Sequence, residues 1–179
     1  MGNDIHSFLA GMAEGDMNAF GELYGLLSVR VFNYARAITG NKETAEDITH
    51  DVFMRILKQA ARAAKTADPA AYIMVMTRNQ AYDRLRQNRR TAALPDGADG
   101  AGAVSLPYDR LFMEDAFAAL PANQRETVYL HWVCGFTQKE TARIMDAPLV
   151  TVKWRCGKAL AQLRAYFNQD KEEKSHETV

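Results

Sequence analysis

The sequence predicts an all-α protein with two helical domains joined by a flexible linker. Over most of the chain, apolar residues recur three or four positions apart, which is typical of amphipathic helices, and no strand pattern competes with them. One stretch, 91–108, breaks this periodicity and is rich in Gly, Ala, Asp and Pro. We therefore predict a first domain at 1–90, a linker at 91–108, a second domain at 109–168 and a disordered tail at 169–179.

Start and stop signals divide the first domain into long helices. One helix is predicted from Met17 to a stop at Gly40, and Asn41 is suited to cap the next helix. Asp68 and Pro69 form a cap followed by a proline at the first helical position, so a further long helix should run from there to about residue 89.

Three helices are predicted toward the end of the second domain. The first should end at Gly135, and the second should begin at Thr137, which has capping-box spacing with Glu140. A tight turn at 146–148 precedes a third helix that starts near Leu149. This order is typical of a helix-turn-helix that places its last helix in a DNA major groove, although an ordinary helical hairpin would share the pattern.

The last of these helices has an apolar stripe and a basic face. The stripe consists of Val152, Cys156, Ala159, Leu160, Leu163 and Phe167. The basic face carries Lys153, Arg155 and Lys158, with Arg164 a turn further on, and no acidic residue lies between positions 149 and 169. The alternative to a DNA-binding face is a basic face that is merely solvated.

Net charge is zero, with 22 basic and 22 acidic residues, which by itself argues against a nucleic-acid-binding protein. The distribution is uneven, however, because a second basic segment runs from 78 to 90. It contains five arginines and one acid, Asp83; the arginines are Arg78, Arg84, Arg86, Arg89 and Arg90. Two basic helices in a neutral chain suggest two DNA-facing surfaces.

Other classes of function find little support. The sequence has no nucleophile–base constellation, phosphate loop or metal-ligand cluster, so we expect no enzyme, no cofactor and no metal. Cys134 and Cys156 lie on apolar helix faces and are expected to be small buried residues. Because there is no long apolar run and no signal-peptide pattern, we expect a soluble, cytoplasmic protein without membrane insertion.

Four segments together resemble the extracytoplasmic-function (ECF) group of bacterial RNA polymerase sigma factors. They are AEDITHDVFMRIL at 45–57, PAAYIMVMTRNQAYDRLRQNRR at 69–90, LPANQRETVYL at 120–130 and FTQKETARIMDAPLVTVKWRCGKALAQL at 136–163. The resemblance covers about 17–167. It implies a sigma region 2-like domain that binds core RNA polymerase and opens the minus-ten element, and a region 4-like helix-turn-helix that reads the minus-thirty-five element.

The resemblance also implies roles for particular residues. Docking on core polymerase is expected at Asp47, Asp51, Val52 and Arg55. Contacts with the minus-ten element are expected at Arg78, Asn79, Arg84 and Arg86, with Arg89 and Arg90 extending the basic surface. Contacts with the minus-thirty-five element are expected at Thr151, Lys153, Trp154, Arg155 and Lys158, where Thr151 can offer its hydroxyl and backbone N–H to phosphate.

Three positions depart from the pattern of this family. Asp146 stands where glycine is usual, and Asp tolerates a left-handed turn better than most residues. Val150 replaces a favoured glycine, and Trp154 replaces a small residue, usually serine. Trp154 could contact a thymine methyl, anchor a protein partner or pack against the neighbouring helix.

The sequence thus predicts a promoter-specificity subunit whose partners are core RNA polymerase and promoter DNA. By resemblance, an anti-sigma factor is also expected to hold it inactive. Two alternatives stay open: a sigma-like module that binds only a regulatory protein, and a stand-alone helix-turn-helix regulator. The latter would bind a palindromic site as a dimer.

Overall fold

The computed structural model describes the backbone of residues 2–91 and 116–176, and the side chains of residues 4–88 and 116–168. Every regular element in these ranges is a helix, which confirms the all-α prediction. The chain divides into two compact units, 1–101 and 102–179. Positions 92–108 of the predicted linker lie outside the described residues. Among the helices that are described, none combines the length and apolarity needed to cross a membrane.

The first unit is a bundle built around its second helix. Its elements are α1 (Gly2–Ala13), α2 (Met17–Thr39), α3 (Lys42–Lys58), α4 (Ala60–Ala63) and α5 (Pro69–Thr91). Helix α2 contacts α1, α3 and α5 because its apolar stripe is buried from Leu23 to Ala35. Side chains from all four long helices fill the core, including Leu9, Leu27, Ile48 and Ile73.

Local capping fixes where these helices begin and end, as the sequence predicts. Gly40 adopts a left-handed φ of 71° and closes α2. Asn41 caps α3, since its side-chain oxygen accepts a hydrogen bond of 2.8 Å from the backbone N–H of Thr44. Asp68 caps α5 in the same way, accepting from the Ala71 N–H at 3.0 Å.

The second unit consists of short helices packed along one long helix. After a helical segment at 116–118, it contains α6 (Ala122–Val128), a π-helix (Tyr129–Val133), α7 (Gln138–Ile144) and α8 (Leu149–His176). Helix α8 contacts both α6 and α7. It also continues to His176, so the prediction of a disordered tail is wrong for 169–176, whereas 177–179 lie outside the described residues.

Sequence patterns do not predict the π-helix of this unit. Its wider turns appear in a hydrogen bond of 2.9 Å from the Cys134 N–H to the Tyr129 carbonyl, five residues back. The Phe136 N–H then reaches the Leu130 carbonyl at 3.1 Å across Gly135, whose φ is 78°. Gly135 therefore ends this segment, as predicted.

Candidate nucleic-acid interface and polymerase-docking face

The helix-turn-helix begins with a complete capping box at α7. The Glu140 N–H donates to the Thr137 hydroxyl at 3.2 Å, and the Thr137 N–H donates to the Glu140 carboxylate at 2.8 Å. The Thr137 hydroxyl also donates to that carboxylate at 2.8 Å. Hydrogen bonds from the side chain and backbone of Thr137, with a smaller contribution from the charge of Arg143, lower the pKa of Glu140. The predicted start of this helix is therefore confirmed.

The turn between α7 and α8 is a Schellman motif with aspartate in the left-handed position. Asp146 has a φ of 50°, and its N–H donates to the Arg143 carbonyl at 3.3 Å. The next residue, Ala147, donates its N–H to the Ala142 carbonyl at 3.0 Å. Asp146 thus occupies the conformation in which the family usually has glycine.

A small apolar cluster holds α7 against α8. Ala142 of α7 packs with Val152 and Cys156 of α8, and Ala147 of the turn packs on the same cluster. Burial raises the pKa of the Cys156 thiol, which keeps this sulfur protonated and weakly reactive at neutral pH. Both Cys134 and Cys156 are buried free thiols, as expected.

The opposite side of α8 is exposed and forms what we call the recognition face. It consists of Val150, Lys153, Trp154, Gly157 and Lys158. These positions are spaced three or four residues apart, so they share one side of the helix, opposite Val152 and Cys156. The stripe predicted from sequence is buried at Val152, Cys156, Ala159 and Leu163, whereas Leu160 lies exposed at its edge.

The predicted minus-thirty-five residues lie on or beside this face. Lys153, Trp154 and Lys158 are exposed, and Thr151 and Arg155 are half-buried at its margin. The N–H of Thr151 donates to the Pro148 carbonyl at 2.9 Å. The prediction that this N–H is offered to phosphate is therefore wrong, because the first turn of α8 already uses it.

Trp154 is 56% exposed and is not among the residues of the two apolar clusters that pack α8 against α6 and α7. This exposure argues against packing on the neighbouring helix as the role of Trp154. Val150, one turn earlier on the same face, is 73% exposed.

The second basic surface lies on α5. Asn79 and Arg86 are exposed there, and Arg86 forms an ion pair with Asp83. The guanidinium of Arg78 lies 4.7 Å from the centre of the Tyr82 ring, a cation–π arrangement. The side chains of Arg89 and Arg90 lie outside the described residues.

Helix α3 presents an exposed polar face with Asp47, Asp51 and Arg55 one turn apart. Val52 is fully buried, so its predicted direct contact with polymerase is wrong: it faces the core of the bundle. Its neighbour Phe53 is also buried, with its ring 4.7 Å from that of Tyr24.

One contact joins these two polar surfaces. The Nη2 atom of Arg84 on α5 lies 3.2 Å from the Oδ2 atom of Asp51 on α3. Both side chains are partly exposed, at 41% for Arg84 and 49% for Asp51. No sequence signal indicates this pair, because its members are 33 positions apart and on different helices.

Comparison with known proteins agrees with this geometry. Models of sigma-70 region 2 and sigma-70 region 4 match residues 23–91 and 116–165, most of the chain. The ECF RNA polymerase sigma factor BldN of Streptomyces coelicolor is 29% identical over 162 residues, 83% of this chain and 61% of BldN. This chain belongs to the ECF sigma factors. The ECF sigma factor SigM of Mycobacterium tuberculosis is 28% identical over 165 residues, covering 89% of this chain and 84% of SigM.

Solved structures share the fold of this ECF sigma factor. RpoE of Bartonella quintana, solved with the anti-sigma factor NepR, aligns with a TM-score of 0.73 at 23% identity, over 83% of this chain and 96% of RpoE. CnrH, solved with the cytosolic domain of CnrY, aligns with a TM-score of 0.65 at 21% identity, over 93% of this chain and 99% of CnrH.

Proposed function

We propose that this sigma factor binds core RNA polymerase and directs transcription initiation from promoters with a minus-ten and a minus-thirty-five element. The observation that carries the proposal is the presence of two basic helical surfaces on separate units that match sigma regions 2 and 4. Neither a stand-alone helix-turn-helix regulator nor a pure interaction module needs both surfaces.

In the second unit, the recognition face would lie in the major groove of the minus-thirty-five element. Lys153 and Lys158 flank this face and would contact phosphates, as would Arg155 at its margin. None of these three cations forms an ion pair within the described residues, so their charges are available to DNA. Binding through phosphates should weaken as salt concentration rises.

In the first unit, α5 would act at the minus-ten element. Unstacking bases there costs a few kcal/mol per step, so contacts with extruded bases must offset it. Exposed Asn79 carries an amide that can both donate to and accept from a base edge. Arg86 and Arg78, together with Arg84, would hold the separated strand by its phosphates, with Arg89 and Arg90 extending this surface.

The exposed face of α3, with Asp47, Asp51 and Arg55, would dock on core polymerase. The polymerase supplies the chemistry, because sigma factors are non-enzymatic initiation subunits. We infer that this chain likewise has no catalytic activity of its own and acts in the cytoplasm, where its polymerase works.

We further propose that an anti-sigma factor controls this chain. The support is its fold similarity to RpoE and CnrH, of which RpoE was solved with the anti-sigma factor NepR. A tagged copy of the chain should co-purify with such a partner from unstressed cells of its own organism. It should no longer do so after a stress that activates the chain. Recovery of polymerase without any such partner under both conditions would contradict this part of the proposal.

The main test is run-off transcription on pooled genomic fragments with purified core polymerase. Wild type should initiate from sites that share a two-part motif, and Arg155→Ala should lose this initiation. Arg62→Ala is a matched control, since Arg62 is an exposed arginine on α4 outside the proposed surfaces. Absence of initiation together with absence of core binding would favour the interaction module. Binding of a palindromic duplex by a dimer without polymerase would favour the stand-alone regulator.

A further inference from the structure

The recognition face combines an exposed apolar centre with exposed cationic side chains. At its centre, Val150 and Trp154 expose 73% and 56% of their surfaces, one helical turn apart. On either side of them lie exposed Lys153 and Lys158. The centre of the face is therefore apolar and its borders are cationic.

The charges indicate what covers this patch. No acidic residue lies between positions 149 and 169, so the charges that α8 itself places beside the apolar centre are all positive. Such a border favours a polyanion over a neutral or basic protein surface. Within the DNA major groove, the apolar group that projects from the base edges is the 5-methyl group of thymine.

Resting on the proposed function, we infer that Trp154 and Val150 determine promoter specificity by packing on thymine methyl groups in the minus-thirty-five element. One helical turn rises about 5.4 Å, while successive bases lie about 3.4 Å apart along a strand. The two side chains therefore reach one thymine or two adjacent ones. Serine at position 154 and glycine at position 150, the residues usual in this family, could not make this contact with a thymine methyl group.

The indole of Trp154 adds a preference against cytosine. Its ring N–H can only donate a hydrogen bond, and thymine offers the acceptor O4 beside its methyl group. Cytosine presents a donor amino group instead, so the indole N–H would face another donor and would have no acceptor. The pair should consequently select thymine over cytosine at this position.

The test removes the methyl group and nothing else. Holoenzyme is assembled from core polymerase and the full chain, and its affinity for a promoter found by run-off transcription is measured by competition. Each thymine of the upstream element is then replaced in turn by deoxyuridine. At one position, or at two adjacent ones, affinity should fall about three- to fourfold, the effect of one buried methyl group.

Variants of Val150 and Trp154 show whether these two side chains cause the loss of affinity on deoxyuridine substitution. In Trp154→Ser combined with Val150→Gly, the deoxyuridine penalty should vanish, because nothing apolar reaches the methyl. Trp154→Phe should keep the penalty but lose part of the discrimination against cytosine, since it lacks the ring N–H. Trp132→Ser is the matched control: Trp132 is 42% exposed, lies outside α8, and its loss should leave the penalty unchanged.

The possible failures are distinct. A holoenzyme that binds no promoter fragment overturns the proposed function and this inference with it. Promoter binding with no deoxyuridine penalty anywhere in the upstream element overturns the inference alone, and assigns the patch to a protein partner. A penalty that persists in the double variant also overturns the inference, because another residue must then contact the methyl.

Discussion

Arg84 and Asp51 form an ion pair although we assign them to different tasks, DNA contact on α5 and polymerase docking on α3. With Nη2 and Oδ2 3.2 Å apart, Asp51 cannot turn fully to the polymerase without releasing Arg84. Removing the arginine should therefore make docking easier. We predict that Arg84→Gln raises the affinity of the free chain for core polymerase, even though it impairs promoter opening.

The expected gain in core affinity follows from the solvent exposure of Arg84 and Asp51. Both side chains are more than a third exposed, so solvent screens the attraction, and exposed pairs typically contribute about 0.2–1 kcal/mol. Release of this energy corresponds to a gain of about 1.4- to fivefold in core affinity. The gain should shrink at high salt, because the ion pair is then already weakened.

The assay is a double-mutant cycle, with core binding measured by competition against a labelled reference sigma factor. The gain from Arg84→Gln should disappear in an Asp51→Asn background. Arg62→Gln removes the same charge from exposed α4 and should give no gain. If Arg84→Gln leaves core affinity unchanged, lowers it, or gives the same gain without Asp51, the ion pair does not compete with docking on the polymerase.

Further predictions concern the helix-turn-helix. Both tryptophans of the chain, at positions 132 and 154, lie in the second unit, so urea unfolding followed by tryptophan fluorescence reports on that unit. Thr137→Ala should lower its unfolding free energy by about 1 kcal/mol through loss of the cap. Because the pKa of Glu140 is lowered in the folded state, its carboxylate contributes stability above the ordinary pKa of 4.5, and this stability is lost as pH falls through the folded-state value. Thr137→Ala should therefore reduce the dependence of the unfolding free energy on pH in this acidic range. Asp146→Gly should raise stability by about 0.5–1 kcal/mol, because glycine adopts the left-handed φ without strain. Val152→Ala should lower it by about 2 kcal/mol through the lost burial and the cavity left behind.

Each of these has a contrary result. An unchanged pH dependence in the acidic range for Thr137→Ala would mean that Glu140 is not stabilised through the capping box. Lower stability in Asp146→Gly would mean that the aspartate side chain contributes more than its backbone strain costs. A loss below about 0.5 kcal/mol in Val152→Ala would contradict a packed contact between α7 and α8.

The sequence predicts those parts of the fold that depend on neighbours within a few positions. Asn41, Asp68 and Thr137 all cap helices as expected, since a cap needs only its own side chain and backbone groups two or three residues ahead. The left-handed turn at Asp146 is predictable for the same reason. The starts of α3, α5 and α7 therefore follow from local interactions, whereas α4 and α6 begin without a side-chain cap.

Other features depend on packing and escape sequence reasoning. The π-helix at Tyr129–Val133 has no residue pattern that separates it from an α-helix. Val52 belongs to the apolar stripe of α3, yet family resemblance alone does not distinguish a buried residue from a docking residue. The pair of Arg84 and Asp51 arises only when α3 and α5 pack together.

The helix at 169–176 shows how composition misleads at a chain end. Its mixed charges suggest a solvated tail, yet the backbone of α8 continues as a helix to His176. Extending an existing helix costs less free energy than nucleating a new one, so the long helix that precedes these residues favours their helical conformation.

In the proposed division of labour, α8 reads the upstream element and α5 opens the downstream element. This division is tested most directly on a single promoter by combining footprinting of the upstream element with permanganate reactivity of thymines at the minus-ten element. With Arg155→Ala, upstream protection should be lost. With Asn79→Ala, upstream protection should remain while the reactive thymines disappear. Loss of both signals together in each variant, or wild-type holoenzyme that opens DNA without upstream protection, would contradict the division of labour between the two units.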